Sequence, residues 1–243
     1  MDAQQSVTIG VVFMLAGVVK GISGMGLPTV AMSLLGLLMA PAQAAALLVL
    51  PSLATNVAQC RGPALRTLAR HLWPLWLALV LATVFMPRIG LGGSGGHART
   101  FLGVVLLVYG AWGLWRPALP RIDADRPVPA ISAGALTGAV TAATAVFVIP
   151  MVPYLQALRL DKDTMIQALG LSFTIATLAL ALRLQRADAL PALSPLTGLA
   201  LLSSFVGLWL GARLRAKFSQ QVFQRALFVV FLALGVANLW RGS

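Results

Sequence analysis

Acidic residues are nearly missing from this chain of 243 residues. It holds six, all aspartate, and each lies near an end or in a polar segment: Asp2, Asp123, Asp125, Asp161, Asp163 and Asp188. A site for a transported cation, like many proton relays, would place a carboxylate inside an apolar segment. The sequence therefore argues against a cation as the ligand of a membrane-embedded site.

Cysteine and histidine are also scarce. Cys60 is the only cysteine, which excludes an intrachain disulfide and a cysteine-based metal cluster. The two histidines, His71 and His97, are predicted to lie in loops, and they form neither a metal site nor a catalytic triad. The sequence thus predicts no metal site, and the lack of His, Asp and Glu in the apolar segments counts against an enzyme.

Apolar residues, in contrast, dominate the composition. They make up 59% of the chain, charged residues make up 10%, and the mean hydropathy is +0.89. A soluble domain would carry roughly a quarter charged residues. Apolar runs near the ~20 residues that span a bilayer recur along the whole length. We predict an all-α polytopic membrane protein, and the N-terminus does not read as a removable signal peptide.

The net charge of +12 comes from Arg and Lys residues in short loops. Such residues anchor to lipid headgroups and set the topology. No basic segment is long or interleaved with stacking aromatics, so we do not expect a nucleic-acid partner. An amphipathic stretch at 61–72, followed by Trp73 and Trp76, is predicted to lie in the membrane interface.

Two long apolar segments, 7–40 and 130–158, are interrupted by glycine, proline and polar residues. The first is broken at 20–28, and the second at 141–144 and 150–153. Broken backbone at membrane depth is tolerated only where it is buried in protein or lines a cavity. A pair of such breaks in corresponding places of two halves indicates the substrate site of a transporter.

The chain divides into a first membrane repeat (1–116), a linker (117–129) and a second membrane repeat (130–243). Gly-x-x-x-Gly pairs begin at Gly17 and Gly134, and a third at Gly207 is expected to allow close helix packing. The glycine-rich loop 90–95 matches a G-x-G-x-x-G pattern, but it follows no predicted strand. It therefore reads as a flexible loop, not a nucleotide site.

Each broken segment either crosses the membrane or dips in and returns. The first has 34 residues, about 50 Å of helix against ~30 Å of hydrocarbon. If both broken segments cross the membrane, nine Lys and Arg residues of the loops lie on one side and eight on the other. If both are re-entrant hairpins, the numbers are five and twelve. The twelve are Arg61, Arg66, Arg70, Arg116, Arg121, Arg126, Arg159, Lys162, Arg213, Arg215, Lys217 and Arg225. The positive-inside rule favours the hairpins, and hence an inverted repeat, over a long bent crossing helix.

The first break supplies most of the candidate site. Lys20 is a cation deep in an apolar segment. Either its ammonium group attracts an anionic substrate, or its flexible side chain extends so that this group reaches the membrane interface. A helix restarting near Leu27 would present free N–H groups beside Gly24, Met25, Gly26 and Pro28, and helix N-termini bind anions. Ser23 either adds a hydroxyl donor or bonds back to its own helix.

The candidates elsewhere are less tightly defined. Thr141, Thr144 and Pro150 mark the second break, where a helix restart is expected at 146–150. The Thr141 and Thr144 hydroxyls, like that of Ser23, either donate to the anion or bond back to their own helix. Asn56, near Thr55, and Ser172 lie on later helices, where they line the pathway or join helices by hydrogen bonds.

The run 17–29 (Gly17, Lys20, Gly21, Gly24, Gly26 and Pro28 among them) resembles the first-repeat signature of the sulfite exporter TauE/SafE family. Residues 51–57 continue the likeness, and 149–155, 160–163 and 172–174 are similar to the second repeat. The second half departs from this pattern, because residues 141–147 contain threonine, alanine, valine and phenylalanine where the first half has its glycine cluster. Substrate contacts in that half are correspondingly less well placed.

The resemblance implies a bacterial inner-membrane protein, without a prosthetic group, that moves sulfite, an organosulfonate or a related small anion, often as export. A non-transporting scaffold or assembly protein and an anion channel are the alternatives. The sequence leaves the oligomeric state open, a homo-oligomer included.

Overall fold

A computed structural model describes residues 3–87, 91, 95–115, 119–189, 194–215, 217 and 219–242. Within these ranges the regular structure is helical, and no strand occurs. The first half forms α1 (Ala3–Ser23), α2 (Leu27–Leu38), α3 (Pro41–Val57), a 3-10 turn (Ala58–Cys60), α4 (Leu65–Phe85) and α5 (Gly95–Trp115). The second half forms α6 (Pro127–Thr144), α7 (Met151–Ala157), α8 (Lys162–Arg186), α9 (Pro195–Leu214) and α10 (Gln220–Gly242).

Six helices of the described residues are long and apolar enough to cross a membrane: α1, α4, α5, α8, α9 and α10. α1, with 21 residues, is the start of the first broken segment, whereas α3 has 17 residues and is not among the six. The chain is a helical multi-pass membrane protein.

α4 corrects two expectations about its N-terminal part. The stretch predicted to lie separately in the interface is mostly the beginning of this one continuous helix, from Leu65. His71 lies within α4 and His97 within α5, so the prediction that both occupy loops was wrong. His71 Nε2 lies 3.2 Å from the carboxylate of Asp125 in the linker. Both helices begin earlier than their apolar runs, at Leu65 and at Gly95.

Glycines let α1 and α9 pack with their backbones in contact. A Cβ on Gly17 would lie 2.4 Å from the carbonyl oxygen of Ser204, and one on Gly211 would lie 2.2 Å from that of Val18. In the same way, a Cβ on Gly134 would lie 2.2 Å from the Leu75 oxygen of α4. The close approach predicted from the Gly-x-x-x-Gly pairs is confirmed. Both helix pairs run parallel.

Both broken segments turn back toward the side where they begin. Arg215, just after α9, donates to the Gly21 carbonyl near the end of α1, which runs parallel to α9. α2 then returns, because Arg99 near the start of α5 donates to Gly36 O of α2 (2.9 Å) and Arg241 near the end of α10 donates to Leu37 O (2.6 Å).

In the second half, Ile122 N, in the segment leading into α6, donates to Ala157 O at the end of α7 (3.1 Å). The chain therefore comes back beside the start of α6, the course predicted for a hairpin. α8 follows at once, capped by Asp161, whose carboxylate accepts from Asp163 N and Thr164 N. Hydrogen bonds from Thr164 lower the pKa of Asp161.

Helix α3 crosses α8 inside the bundle, and this crossing brings the two halves together. Ser52 lies 3.1 Å from Thr177, hydroxyl to hydroxyl, and Cys60 Sγ lies 3.3 Å from Thr174 Oγ1. A Cβ on Gly170 would meet the backbone of Gln59 at 2.6 Å. Because Thr174 is midway along α8, the polar end of α3 lies well inside the protein rather than at a surface.

Candidate anion site

The first break is a three-residue interruption between α1 and α2, held open by glycine. Gly24 has φ 81° and Gly26 has φ 103°, left-handed values that favour glycine over residues with a side chain. Gly24 N donates to Lys20 O (2.8 Å), and α2 begins at Leu27 with Pro28 in its first turn. The restart near Leu27 was predicted correctly, and it places the break one turn beyond Lys20.

Lys20 is buried inside the protein, with a relative exposure of 1%. Its Nζ donates to Thr55 Oγ1 (3.0 Å) and to Asn56 Oδ1, both near the end of α3. Because Nζ points to α3 and not toward a headgroup region, the snorkelling alternative does not describe this side chain.

A chain of hydrogen bonds fixes the orientation of Asn56. Thr177 gives its hydroxyl proton to Phe173 O (2.7 Å), so Ser52 is the donor to Thr177. Asn56 Nδ2 donates to Ser52 Oγ (3.4 Å), which leaves Oδ1 turned to Lys20. Thr55 likewise gives its proton to Pro51 O (2.7 Å) and can only accept from Lys20. Both groups therefore present oxygen lone pairs to the lysine.

The lysine partners are neutral, and this decides the electrostatics of the site. Thr55 contributes a hydroxyl and Asn56 an amide oxygen, so neither described partner of Lys20 carries a charge. Every aspartate lies outside the apolar segments. A buried cation with neutral partners leaves its desolvation cost only partly offset, and a bound anion would complete the compensation.

Backbone amides of the first break are partly used within the break. Met25 N donates to Ser23 Oγ (3.3 Å), and Gly24 N donates to Lys20 O. The expectation that these two amides are free for a ligand was therefore wrong. Gly26, Leu27 and Thr29 begin the next helix, and their amides have no acceptor in the part of the chain described. The Thr29 hydroxyl is buried and also lacks a partner there. The donors thus lie on the α2 side.

The second break is built differently. α6 ends with Ala145 in the left-handed region (φ 57°), and α7 begins at Met151, one residue beyond the predicted window, and has only seven residues. Residues 145–148 between them are fully buried, and the Phe147 ring lies 5.4 Å from that of Phe173 on α8. The Ile149–Pro150 peptide bond is cis.

Three candidate hydroxyls bond back to their own helices. Ser23 donates to Val19 O or Met25 O, Thr141 donates to Thr137 O, and Thr144 donates to Val140 O, at distances of 2.7 to 2.8 Å. Thr144 also accepts from Val146 N, much as Ser23 accepts from Met25 N. The two hydroxyls therefore cap the ends of α6 and α1.

Ser172 accepts a hydrogen bond from Trp76 Nε1 (2.9 Å) and so joins α8 to α4. The sequence analysis did not identify three neighbours of the site, Ser52, Thr177 and Cys60. Ser52, Thr55 and Asn56 share one face of α3 by their i, i+3, i+4 spacing, a signal that could have found Ser52. Nothing in the sequence indicates that this face meets Thr177.

The sulfite exporter TauE/SafE family model matches residues 9–238, nearly the whole chain, and the chain therefore belongs to this family. Neither the comparison with curated proteins nor that with solved structures gives a match. Proteins of the family are membrane transporters, so a small-molecule substrate and a lipid bilayer are the expected partners.

Proposed function

We propose that this member of the TauE/SafE family is a carrier for a small oxyanion, sulfite or an organosulfonate, and that Lys20 binds the anionic group. The observation that supports this most strongly is the buried lysine, whose described partners Thr55 and Asn56 are both neutral. Burying an ionised group without a charged partner is costly, and a substrate anion would offset that cost.

Further donors for the anion come from the start of α2. The amides of Gly26, Leu27 and Thr29, with the Thr29 hydroxyl, lie at the N-terminus of that helix, where the helix dipole favours negative charge. Asn56 holds Lys20 in place when the anion is absent. Gly24, Met25 and Pro28 shape this backbone, and Ser23, Thr141, Thr144 and Pro150 support the two breaks rather than donate to the anion. Ser172 instead joins α8 to α4.

The two halves form an inverted repeat, which would allow alternating access. The packing of α1 on α9 is matched by the packing of α6 on α4, and α5 packs against its counterpart α10. Each half has five helices in the described residues. Because five is an odd number, the second half begins on the side opposite to the first, and its helices run in the opposite direction. Exchanging the conformations of the halves would expose a central site first to one side and then to the other.

Transport is directed outward from the cytoplasm. The five-to-twelve division of the cations and the positive-inside rule together make the end of the bundle with Arg121, Arg159 and Arg215 the cytoplasmic one. A cavity of about 300 Å³ beside Met25 is lined there by Leu119 of the linker and Gln224 of α10. The anion therefore enters its site from the cytoplasmic side.

Uptake of radiolabelled sulfite into proteoliposomes tests the proposal, with Lys20→Met beside Lys217→Met, an exposed lysine outside the site. We expect saturable uptake and counterflow that Lys20→Met lowers at least tenfold and Lys217→Met leaves intact. Flux without counterflow would indicate the channel. No flux of sulfite or alkylsulfonates with folded protein would overturn the proposal in favour of a non-transporting role, and equal flux in both variants would remove Lys20 from the site.

A further inference from the structure

The last turn of α1 loses a hydrogen bond because the helix ends at Ser23. In a continuous helix the Gly21 carbonyl would accept from the amide four residues later, which is Met25 N. That amide donates to Ser23 Oγ instead (3.3 Å), and Gly21 is buried. A buried carbonyl without a partner is costly, so this position next to Lys20 needs a donor from another part of the protein.

Arg215, just after α9, supplies that donor from the second half of the chain. Its Nε and Nη2 lie 3.1 and 2.7 Å from Gly21 O, and a planar guanidinium can offer both N–H groups at once. The two backbones are in contact here, since a Cβ on Gly21 would lie 2.5 Å from Leu208 O of α9. The second half therefore holds the backbone one residue beyond Lys20.

The far end of the Lys20 side chain depends on the second half through α8. Asn56 turns Oδ1 to Lys20 because its Nδ2 donates to Ser52 Oγ, and Ser52 donates to Thr177 Oγ1 of α8 (3.1 Å). All four side chains are at most 1% exposed. Without the Thr177 acceptor, Ser52 could turn its proton toward Asn56. The amide could then present Nδ2, a donor, to the ammonium group.

The two contacts act on opposite ends of one flexible side chain. Arg215 fixes where the Lys20 side chain begins, and Thr177 fixes which atom of Asn56 receives its end. Lysine carries its charge on a flexible four-carbon stem, so holding both ends limits the conformations that the ammonium group can adopt. A shift of α9 against α1, or of α8 against α3, would release one of these ends.

We propose that Arg215 and Thr177 are positioning residues for Lys20, through which the second half controls the anion affinity of a site built in the first half. This rests on the proposed function. It also gives a physical reason for release of the anion. When the two halves exchange conformations, a displacement of α8 or α9 loosens Lys20 and lowers the affinity.

The half-saturating sulfite concentration for counterflow tests this. Arg215→Met and Thr177→Val remove the contacts, and each should raise this concentration about fivefold. Arg213→Met, exposed and on α9, and Thr174→Val, one turn earlier on α8, are the matched controls. We expect the controls to change it by less than about twofold. Arg215→Lys and Thr177→Ser keep a donor or an acceptor and should restore most of the affinity.

Combination with Lys20→Met shows whether the contacts act through the lysine. A positioning residue has nothing to position once the lysine is gone, so Arg215→Met and Thr177→Val should change the half-saturating concentration less than about twofold in that background. A contact that only supports the fold would lower the affinity by the same factor in both backgrounds. Should Arg215→Met not fold, Arg215→Gln, which loses the guanidinium fork, replaces it in both backgrounds.

Equal factors with and without Lys20, or a wild-type concentration in both Arg215→Met and Thr177→Val, would overturn the positioning role. In either case the wild-type protein still shows saturable counterflow of sulfite. If the wild-type protein shows none, the proposed function itself has failed, and the two failures remain distinct.

Discussion

Lys20 and Asn56 are 36 residues apart in the chain, yet Lys20 Nζ donates a hydrogen bond to Asn56 Oδ1 inside the protein. The partner of a buried lysine in a membrane protein would ordinarily be a carboxylate. Asn56 has the same shape as aspartate but no charge. This single difference keeps the positive charge available to a ligand.

Asn56→Asp should therefore weaken anion binding while it preserves the fold. The new carboxylate would pair with Lys20 at the position of Oδ1, and the substrate would have to displace it. We expect at least a tenfold loss of sulfite affinity, equivalent to about 1.4 kcal/mol. Asn56→Ser, which keeps a neutral oxygen, should lose less. Wild-type affinity in folded Asn56→Asp protein would show that the lysine charge does not attract the substrate.

Cys60 should report on occupancy of the site, because it is the only cysteine and its Sγ lies 3.5 Å from Asn56 O. We expect ethanesulfonate to slow alkylation of Cys60 severalfold in purified protein, since a bound anion restricts access to this region. An alkylsulfonate is preferable to sulfite, which consumes many thiol reagents. Lys20→Met should remove the protection. Equal alkylation rates with and without ethanesulfonate would show that a bound anion does not restrict access to Cys60.

Gly207 should be intolerant of even a methyl group. A Cβ there would lie 2.1 Å from Met14 O, and backbone cannot give way as a flexible side chain can. Gly207→Ala is expected to destabilise the protein by about 1–3 kcal/mol, seen as a lower melting temperature in detergent. Gly198→Ala in the same helix is the control, since nothing lies within 4 Å of its Cβ position. Equal melting temperatures would contradict the α1–α9 packing.

The hydrogen bond from Trp76 to Ser172 should be structural. Trp76→Phe and Ser172→Ala each remove it, so the double variant should be more stable than the sum of the single effects predicts. Interhelical hydrogen bonds in membranes average about 0.6 kcal/mol of coupling. Unfolding in detergent mixtures measures that coupling. A large loss of sulfite affinity in Ser172→Ala, with little coupling to Trp76, would instead make Ser172 a substrate ligand.

The two ends of α9 should face opposite sides of the membrane. In a Cys60→Ser background, Ala187→Cys lies before this helix, and Ser219→Cys lies after it on the side of the twelve cations. We expect an impermeant thiol reagent to label Ala187→Cys in intact cells and Ser219→Cys only after permeabilisation, because cationic loops stay in the cytoplasm. The reverse pattern would invert the orientation and the direction of transport.

Several features were readable from the sequence because their causes are local. Apolar length predicted membrane helices, and glycine with proline at 24–28 predicted where α1 ends and α2 begins. The absence of acidic residues from the apolar segments argued against a cation as the ligand of a membrane-embedded site. The glycine spacing predicted close helix contacts, since a missing Cβ has the same effect in any helix pair.

The tertiary structure alone decided which groups meet. The pairing of Lys20 with Asn56, the chain from Asn56 through Ser52 to Thr177, and the use of Ser172 by Trp76 depend on where α3 crosses α8. That crossing is set by packing between distant segments, which no local pattern encodes. The same holds for the cavity beside Met25, whose walls come from both halves of the chain. The sequence by itself determined a helical membrane protein with a buried cation at a helix break, and the packing determined the neutral partners that leave its charge free for an anion.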